Sequence, residues 1–243
     1  MPLWGAMLAA LIVGGVLALW YTGAGGSATE AAPSTSTTSA PVEAMPAASF
    51  GADIDVALFI GDSYTAGEGA SSSGTRWASL VADDEGWYEV NYGRGGTGYD
   101  TVSGEEGCGR EFCDAYSGTL DEAAVAGVTA DIVLIAGGQN DTEAWEADRE
   151  AVAEAIDATY ARARQLFPTA RIVAVGPSWL GAIRPWHRAF DRAVQDAAAA
   201  VDAEYVSLLD PPVLKASYDD GDGVHVDDAG HAAIAKRVVS ELG

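Results

Sequence analysis

Positive charge is scarce in this chain. Its 243 residues hold 13 Lys and Arg against 36 Asp and Glu, a formal net charge of −23, and Lys215 and Lys236 are its two lysines. A nucleic-acid binder needs a basic footprint to neutralise phosphates, so that class of partner is excluded. Cysteine is almost as rare: Cys108 and Cys113 are the two present, and no matching set of Cys or His ligands accompanies them. That argues against a zinc site. Three histidines, His187, His225 and His231, leave few candidates for a base that works near neutral pH. Internal repeats are absent as well.

Charge of either sign is missing from residues 3–21, an apolar run of 19 residues. As a helix the run would be about 28 Å long, close to the roughly 30 Å hydrocarbon core of a bilayer. Trp4, Trp20 and Tyr21 stand near its ends, where amphipathic aromatics favour membrane interfaces. A secretory signal normally has a shorter apolar stretch behind a basic start, and here no basic side chain precedes Arg76. The run reads as an uncleaved anchor or as a cleaved signal, for which the small residues Gly26 and Ala28 offer a cleavage site; a buried core helix is the remaining reading. Either of the first two places the following domain outside the cytoplasm. Residues 22–50 are Gly, Ser, Thr, Ala and Pro with two Glu and almost no large apolar side chain. Such a segment cannot bury enough surface to offset its ordering entropy, and a flexible spacer is expected. The folded domain then spans 51–243.

With 49% hydrophobic residues, the domain can build a real core. Apolar runs predict strands at 55–60, 88–92, 132–136, 171–175 and 204–208. Helical periodicity predicts helices at 77–82, 143–167, 185–203 and 228–242. Alternation of the two predicts an α/β fold, a three-layer α/β/α sandwich around a parallel sheet of about five strands.

Ser63 stands at the carboxyl end of the first expected strand, in Gly61-Asp62-Ser63-Tyr64. Open α/β sheets bind ligands at that edge. A serine there either caps the next helix or serves as a nucleophile, and a nucleophile needs a base and an orienting acid. Asp222-Gly223-Val224-His225 supplies both, with the carboxylate three residues before the imidazole. An oxyanion formed by attack of Ser63 also needs donors. Gly96, in a glycine-rich run over 91–98, can turn its N–H towards one, and Asn140, in Gly137-Gly138-Gln139-Asn140, is either a turn former or an amide donor. His231 reads as a packing or capping residue and His187 as a surface or rim residue.

These four segments, in this order, resemble the four blocks of the GDSL/SGNH hydrolase family. The resemblance covers essentially all of 55–243 and implies the family's flavodoxin-like sandwich. It implies Ser63 as nucleophile, Asp222 and His225 as acid and base, and Gly96 and Asn140 with the Ser63 N–H as the oxyanion hole. The second block is crowded with glycines, and Gly95 can fill the same role. The fourth position of the first block is Tyr64 rather than the commoner leucine.

Other motifs fall away. Gly93 to Gly98 matches G-x-G-x-x-G but is not followed by a helix, so a dinucleotide site is not expected. Asp219, Asp220, Asp222, Asp227 and Asp228 read as a solvated acidic loop, since their spacing does not fit a calcium loop. Cys108 and Cys113 read as a disulfide closing a short loop outside the cytoplasm. The segment around them, 98–116, is expected to wall the substrate cleft. Trp145, Trp179, Trp186 and Arg94 flank the strand ends and read as core or rim residues, with a place in an acyl or sugar pocket left open. The expected activity is that of an extracytoplasmic serine esterase acting on O-acyl esters through an acyl-serine, without metal or organic cofactor. Its substrate would be a small ester, a lipid or an acylated glycan. Two other readings remain: an acyltransferase acting on cell-envelope glycans or lipids, and a noncatalytic carbohydrate-binding module. Contact with a membrane is expected only through the N-terminal run.

Overall fold

The computed structural model describes residues 54–243. The 3–21 run and the 22–50 spacer lie outside the described residues. Among the described residues, no helix is long and apolar enough to cross a membrane.

Strand β1 (Val56–Gly61) leads into a short helix α1 (Ser63–Ala66), then α2 (Trp77–Glu85) and β2 (Tyr88–Gly93). A long connection carrying α3 (Glu105–Cys108) and α4 (Tyr116–Val125) returns to β3 (Ile132–Ala136). Helices α5 (Thr142–Ala147) and α6 (Arg149–Leu166) precede β4 (Arg171–Val175), and α7 (Pro185–Ala200) precedes β5 (Glu204–Val206). Helix α8 (Asp228–Leu242) comes last. All five strands are parallel, in the order β2-β1-β3-β4-β5. This is the expected α/β/α sandwich.

Alternate side chains of each strand feed opposite faces, as the pleat requires. Leu58, Ile60, Val133, Ile135, Ile172 and Ala174 pack with the apolar faces of α4, α6 and α7. Phe59, Leu134, Ala136, Val173 and Val175 pack on the other side with Trp77 and Val81 of α2 and Ile234 and Val238 of α8. Covering both faces explains why the central strands read as unbroken apolar runs.

The elements depart from expectation most at α4 and over 143–167, and the last strand stops at Val206 rather than at 208. Helix α4 stands where no element was expected, because Gly118 and a polar first turn dilute its pattern. Tyr116, Thr119, Leu120 and Ala123 nevertheless form one buried face at helical spacing. The helix expected over 143–167 is two helices. Asp148 breaks it with extended φ −149° and ψ 88°, and its carboxylate caps α6 by accepting from the Ala151 N–H at 3.2 Å.

The chain steps from β1 outwards to β2 on one side, then back across β1 to β3. The strand order therefore reverses at the carboxyl ends of β1 and β3, where such sheets form a crevice. Gly61 is in register with Gly93 of β2 and with Ala136 of β3, so the loops after three strands emerge side by side. A Cβ on Gly61 would lie 2.2 Å from Thr65 Oγ1 and 2.5 Å from the Ala136 carbonyl oxygen. Glycine is required there by the protein's own turn rather than by a substrate.

Asp62, fully buried, is the N-cap of α1. Its Oδ1 accepts from the Tyr64 N–H at 3.0 Å, and Tyr116 Oη donates to Oδ2 at 3.3 Å. Burial pushes the carboxyl up to about 6 from 3.8, with these two hydrogen bonds opposing the shift. A folded-state value above the unfolded one favours folding below the unfolded value, and that advantage is lost as pH rises through about 6. An Asp62→Asn variant should therefore gain stability relative to the parent by about 2 kcal/mol between pH 4 and pH 7. Paired urea unfolding curves at the two pH values measure this, and a pH-independent difference would refute the assignment.

Candidate active site

Ser63 is the first residue of α1, and because Asp62 provides the cap, its hydroxyl is not spent on the helix end. Its Oγ lies 2.9 Å from His225 Nε2, and His225 Nδ1 lies 2.6 Å from Asp222 Oδ2. The other oxygen, Asp222 Oδ1, accepts from the backbone N–H groups of His225 at 2.8 Å and Val224 at 2.7 Å. Those bonds, the His225 N–H foremost and the ring next, hold the Asp222 carboxyl far below the usual carboxylate range. An ionised Asp222 makes Nδ1 the donor, so Nε2 of a neutral ring faces the Ser63 hydroxyl as an acceptor. The sequence expectation placed these three residues together, and the fold brings them within hydrogen-bond reach.

The hairpin that carries the acid and base is built from its own carboxylates. Asp219 Oδ1 accepts from the N–H groups of Gly221 and Gly223, each at 2.9 Å. Both glycines lie at positive φ, 117° and 79°, a region that side chains disfavour. Asp220 Oδ1 accepts from the Asp222 N–H at 3.3 Å. The acidic run is thus used to shape a turn.

The oxyanion candidates converge from the two neighbouring strands. After β2 the chain turns through Arg94 to Thr97, with Gly96 at φ 75°. Among the described residues, the N–H groups of Ser63 and Gly96 donate to no protein acceptor. Asn140 sits in a 3-10 turn, Gln139–Asp141, directly after β3. Its Nδ2 donates one hydrogen to the Thr97 carbonyl at 2.9 Å, which orients the amide and leaves its second hydrogen free to serve an oxyanion.

Asp141, which the sequence reading did not single out, fixes this corner. Fully buried, it accepts from the N–H groups of Tyr99, Asp100 and Thr101 at 2.8–3.0 Å and from Thr101 Oγ1 at 2.8 Å. Burial raises its carboxyl while these bonds pull it down. Its signal was its place in the Gly-Gly-Gln-Asn-Asp run, but its partners lie about forty residues away.

Cys108 and Cys113 are joined in a disulfide. The 98–116 segment around them does not line the groove that runs past Asn140 and Val224; its residues Ser103 and Gly107 pack against the oxyanion turn. A Cβ on Gly95 would lie 2.2 Å from the Gly107 carbonyl, and one on Gly96 would lie 2.6 Å from Ser103 Oγ. The groove, of about 640 Å³, is instead lined by Gln139, Asn140, Thr142, Glu143, Trp179, Leu180, Arg184, Val224 and their neighbours. Trp179 therefore lines it, whereas Trp145 is buried in the core edge-on to Phe190.

The remaining histidines are structural. His231 is buried on α8, accepts from the Trp77 N–H at Nδ1 (3.3 Å) and donates from Nε2 to the Glu68 carbonyl (3.0 Å), as a packing role requires. His187 differs from the expected rim position: it is buried between Trp186 and Trp179, and its Nδ1 accepts from the Arg184 N–H at 2.8 Å. Capping the first turn of α7 draws it inward.

Comparison with known proteins agrees with this geometry. The model of the GDSL-like Lipase/Acylhydrolase family matches residues 59–233. The GDSL lipase Rv0518 of Mycobacterium tuberculosis (strain ATCC 25618 / H37Rv) is 30% identical over 192 residues, covering 74% of this chain and 78% of that protein. Among solved structures, a carbohydrate acetylesterase from Sinorhizobium meliloti aligns with a TM-score of 0.57 at 17% identity, over 77% of this chain and 98% of its own. A family two carbohydrate esterase from Cellvibrio japonicus aligns with a TM-score of 0.60 at 16% identity, over 77% of this chain and 60% of its own. At such identities the structures establish a shared fold. The sequence matches go further: this chain belongs to the GDSL-like lipase/acylhydrolase family of ester-hydrolysing enzymes.

Proposed function

We propose that the protein is an extracytoplasmic serine esterase that cleaves O-acyl esters through an acyl-serine at Ser63. The observation that carries the reading is the continuous relay from Asp222 through His225 to the Ser63 hydroxyl, at 2.6 and 2.9 Å. As Ser63 Oγ attacks the ester carbonyl carbon, its proton passes to His225 Nε2, and the Asp222 carboxylate stabilises the imidazolium. The carbonyl electrons move onto oxygen, which meets the Ser63 N–H, the Gly96 N–H and the free hydrogen of Asn140 Nδ2. Collapse breaks the bond to the alcohol, which leaves with the proton from His225. Water then gives a proton to His225 and attacks the acyl carbon. A second collapse releases the acid and returns the proton to Ser63.

The open groove supports a substrate with a bulky, polar alcohol portion, such as an acylated glycan. Trp179 and Leu180 give it an apolar wall, and Gln139, Thr142, Glu143 and Arg184 a polar one. Both structural relatives named above act on carbohydrate esters, which favours the same class here. The location outside the cytoplasm is supported by the apolar 3–21 run and by the Cys108–Cys113 disulfide.

Hydrolysis of p-nitrophenyl acetate by the protein should vanish in Ser63→Ala, and product formed only when an acceptor sugar is added would turn the reading to acyl transfer. Asn140→Ala should lower kcat roughly 100- to 1,000-fold; near-parent turnover would remove Asn140 from the oxyanion hole. Because the disulfide braces the segment whose Ser103 and Gly107 pack against the Gly95–Gly96 turn, and that segment does not line the groove, Cys108→Ser should slow acetyl and butyryl esters by the same factor, roughly 10-fold. A change in the ratio between the two esters would return that segment to the groove.

A further inference from the structure

The hairpin that bears the acid and base is largely exposed. Asp222, Gly223 and Val224 face solvent, and Val226 is the first residue after them to be buried. Its internal bonds, from Asp219, Asp220 and Asp222 to nearby N–H groups, give it shape but do not attach it to the domain. Among the described residues, two hydrogen bonds tie the 219–226 tip to residues outside its own 216–227 loop. One is the Ser63–His225 contact at 2.9 Å. The other is donated by Tyr64 Oη to the Val224 carbonyl at 2.5 Å. Both come from adjacent residues of one helical turn.

The two bonds differ chemically. Once Ser63 carries an acyl group, its Oγ is an ester oxygen and has no hydrogen to offer, so the first tie lapses. The second is untouched by the reaction. Tyr64 is well placed to bear it alone: the residue is 3% exposed, in one apolar cluster with Trp77, Ala136 and Ile234. That ring also lies 5.8 Å from the His225 ring, centroid to centroid. A leucine at this position would supply the packing without the bond.

We propose that Tyr64 is a positioning residue that holds the Asp222–His225 hairpin over the active serine, above all in the acyl-enzyme, when His225 must activate water. This rests on the reading of Ser63 as an acylated nucleophile. The role predicts an uneven effect on the two halves of turnover. Acylation starts with both ties in place, whereas deacylation proceeds with the Tyr64 tie alone.

Tyr64→Phe removes the hydroxyl and keeps the ring, so the fold is retained. With p-nitrophenyl acetate, kcat should fall about 10-fold, the effect of one lost hydrogen bond of ordinary strength. The ratio kcat/KM, which reports acylation, should fall much less, and p-nitrophenol should appear in a burst approaching one equivalent per active site. A merely structural role would lower both parameters alike through a smaller active fraction, without a burst, and that outcome overturns the proposal. A second measurement needs no turnover. Ser63→Ala abolishes the first tie permanently. Amide hydrogen exchange over 219–226 should therefore rise more when Tyr64→Phe is added to Ser63→Ala than when it is added to the parent. Equal increments would overturn the tether. If the parent hydrolysed no ester, the acyl-serine reading would fall, and the exchange experiment would still decide whether Tyr64 holds the hairpin.

Discussion

Gly61 lies opposite Gly93 on one side and Ala136 on the other, and the reactive groups hang from that alignment. Parallel strands in register end at one level. The residues just beyond them, Ser63, Gly96 and Asn140, are then delivered to a common edge without any long-range search. The reversal of strand order at β1 opens the crevice between them. A slip of one residue in either pairing would exchange the side chains packed on the two covered faces, so the packing that stabilises the sheet also fixes the site. Packing and chemistry here share a single constraint.

Above the sheet the polar corner is held by buried carboxylates rather than by apolar contacts. Asp62 caps the helix that presents Ser63 and is tied through Tyr116 Oη to the Gly138 N–H, at 3.3 Å for each bond. Asp141 gathers three consecutive N–H groups of the loop after the Gly96 turn. Burying such groups is costly unless they are hydrogen-bonded, and here most of their oxygens are occupied. The reward is rigidity where donors must stay fixed while charge develops.

Much of this was readable from residues alone. The strands at 132–136 and 171–175 and the helix at 228–242 have the boundaries expected, because continuous apolar runs and a clean 3.6-residue period leave little choice. Ser63, Asp222 and His225 announced themselves by short local spacings. What was not legible depended on partners distant in sequence. Helix α4 hides its apolar face behind Gly118. Asp148 looks like one more polar residue in a helical pattern, although it ends one helix and caps the next. Asp141 and Tyr64 act through groups about forty and 160 residues away, which no local pattern can reveal. His187 was misplaced because its burial follows from two tryptophans folding over it.

The acidic hairpin also bears on what happens after chemistry is complete. Ester hydrolysis turns a neutral substrate into a carboxylic acid that ionises in water. That anion is born beside Asp222 and within the field of Asp219 and Asp220, in a chain with a formal net charge of −23. These carboxylates are exposed, so their repulsion of a like charge is modest and weakens further with salt. The same carboxylates that shape the turn thus set a negative rim beside the catalytic histidine, which an uncharged ester meets without repulsion and the acid it becomes does not.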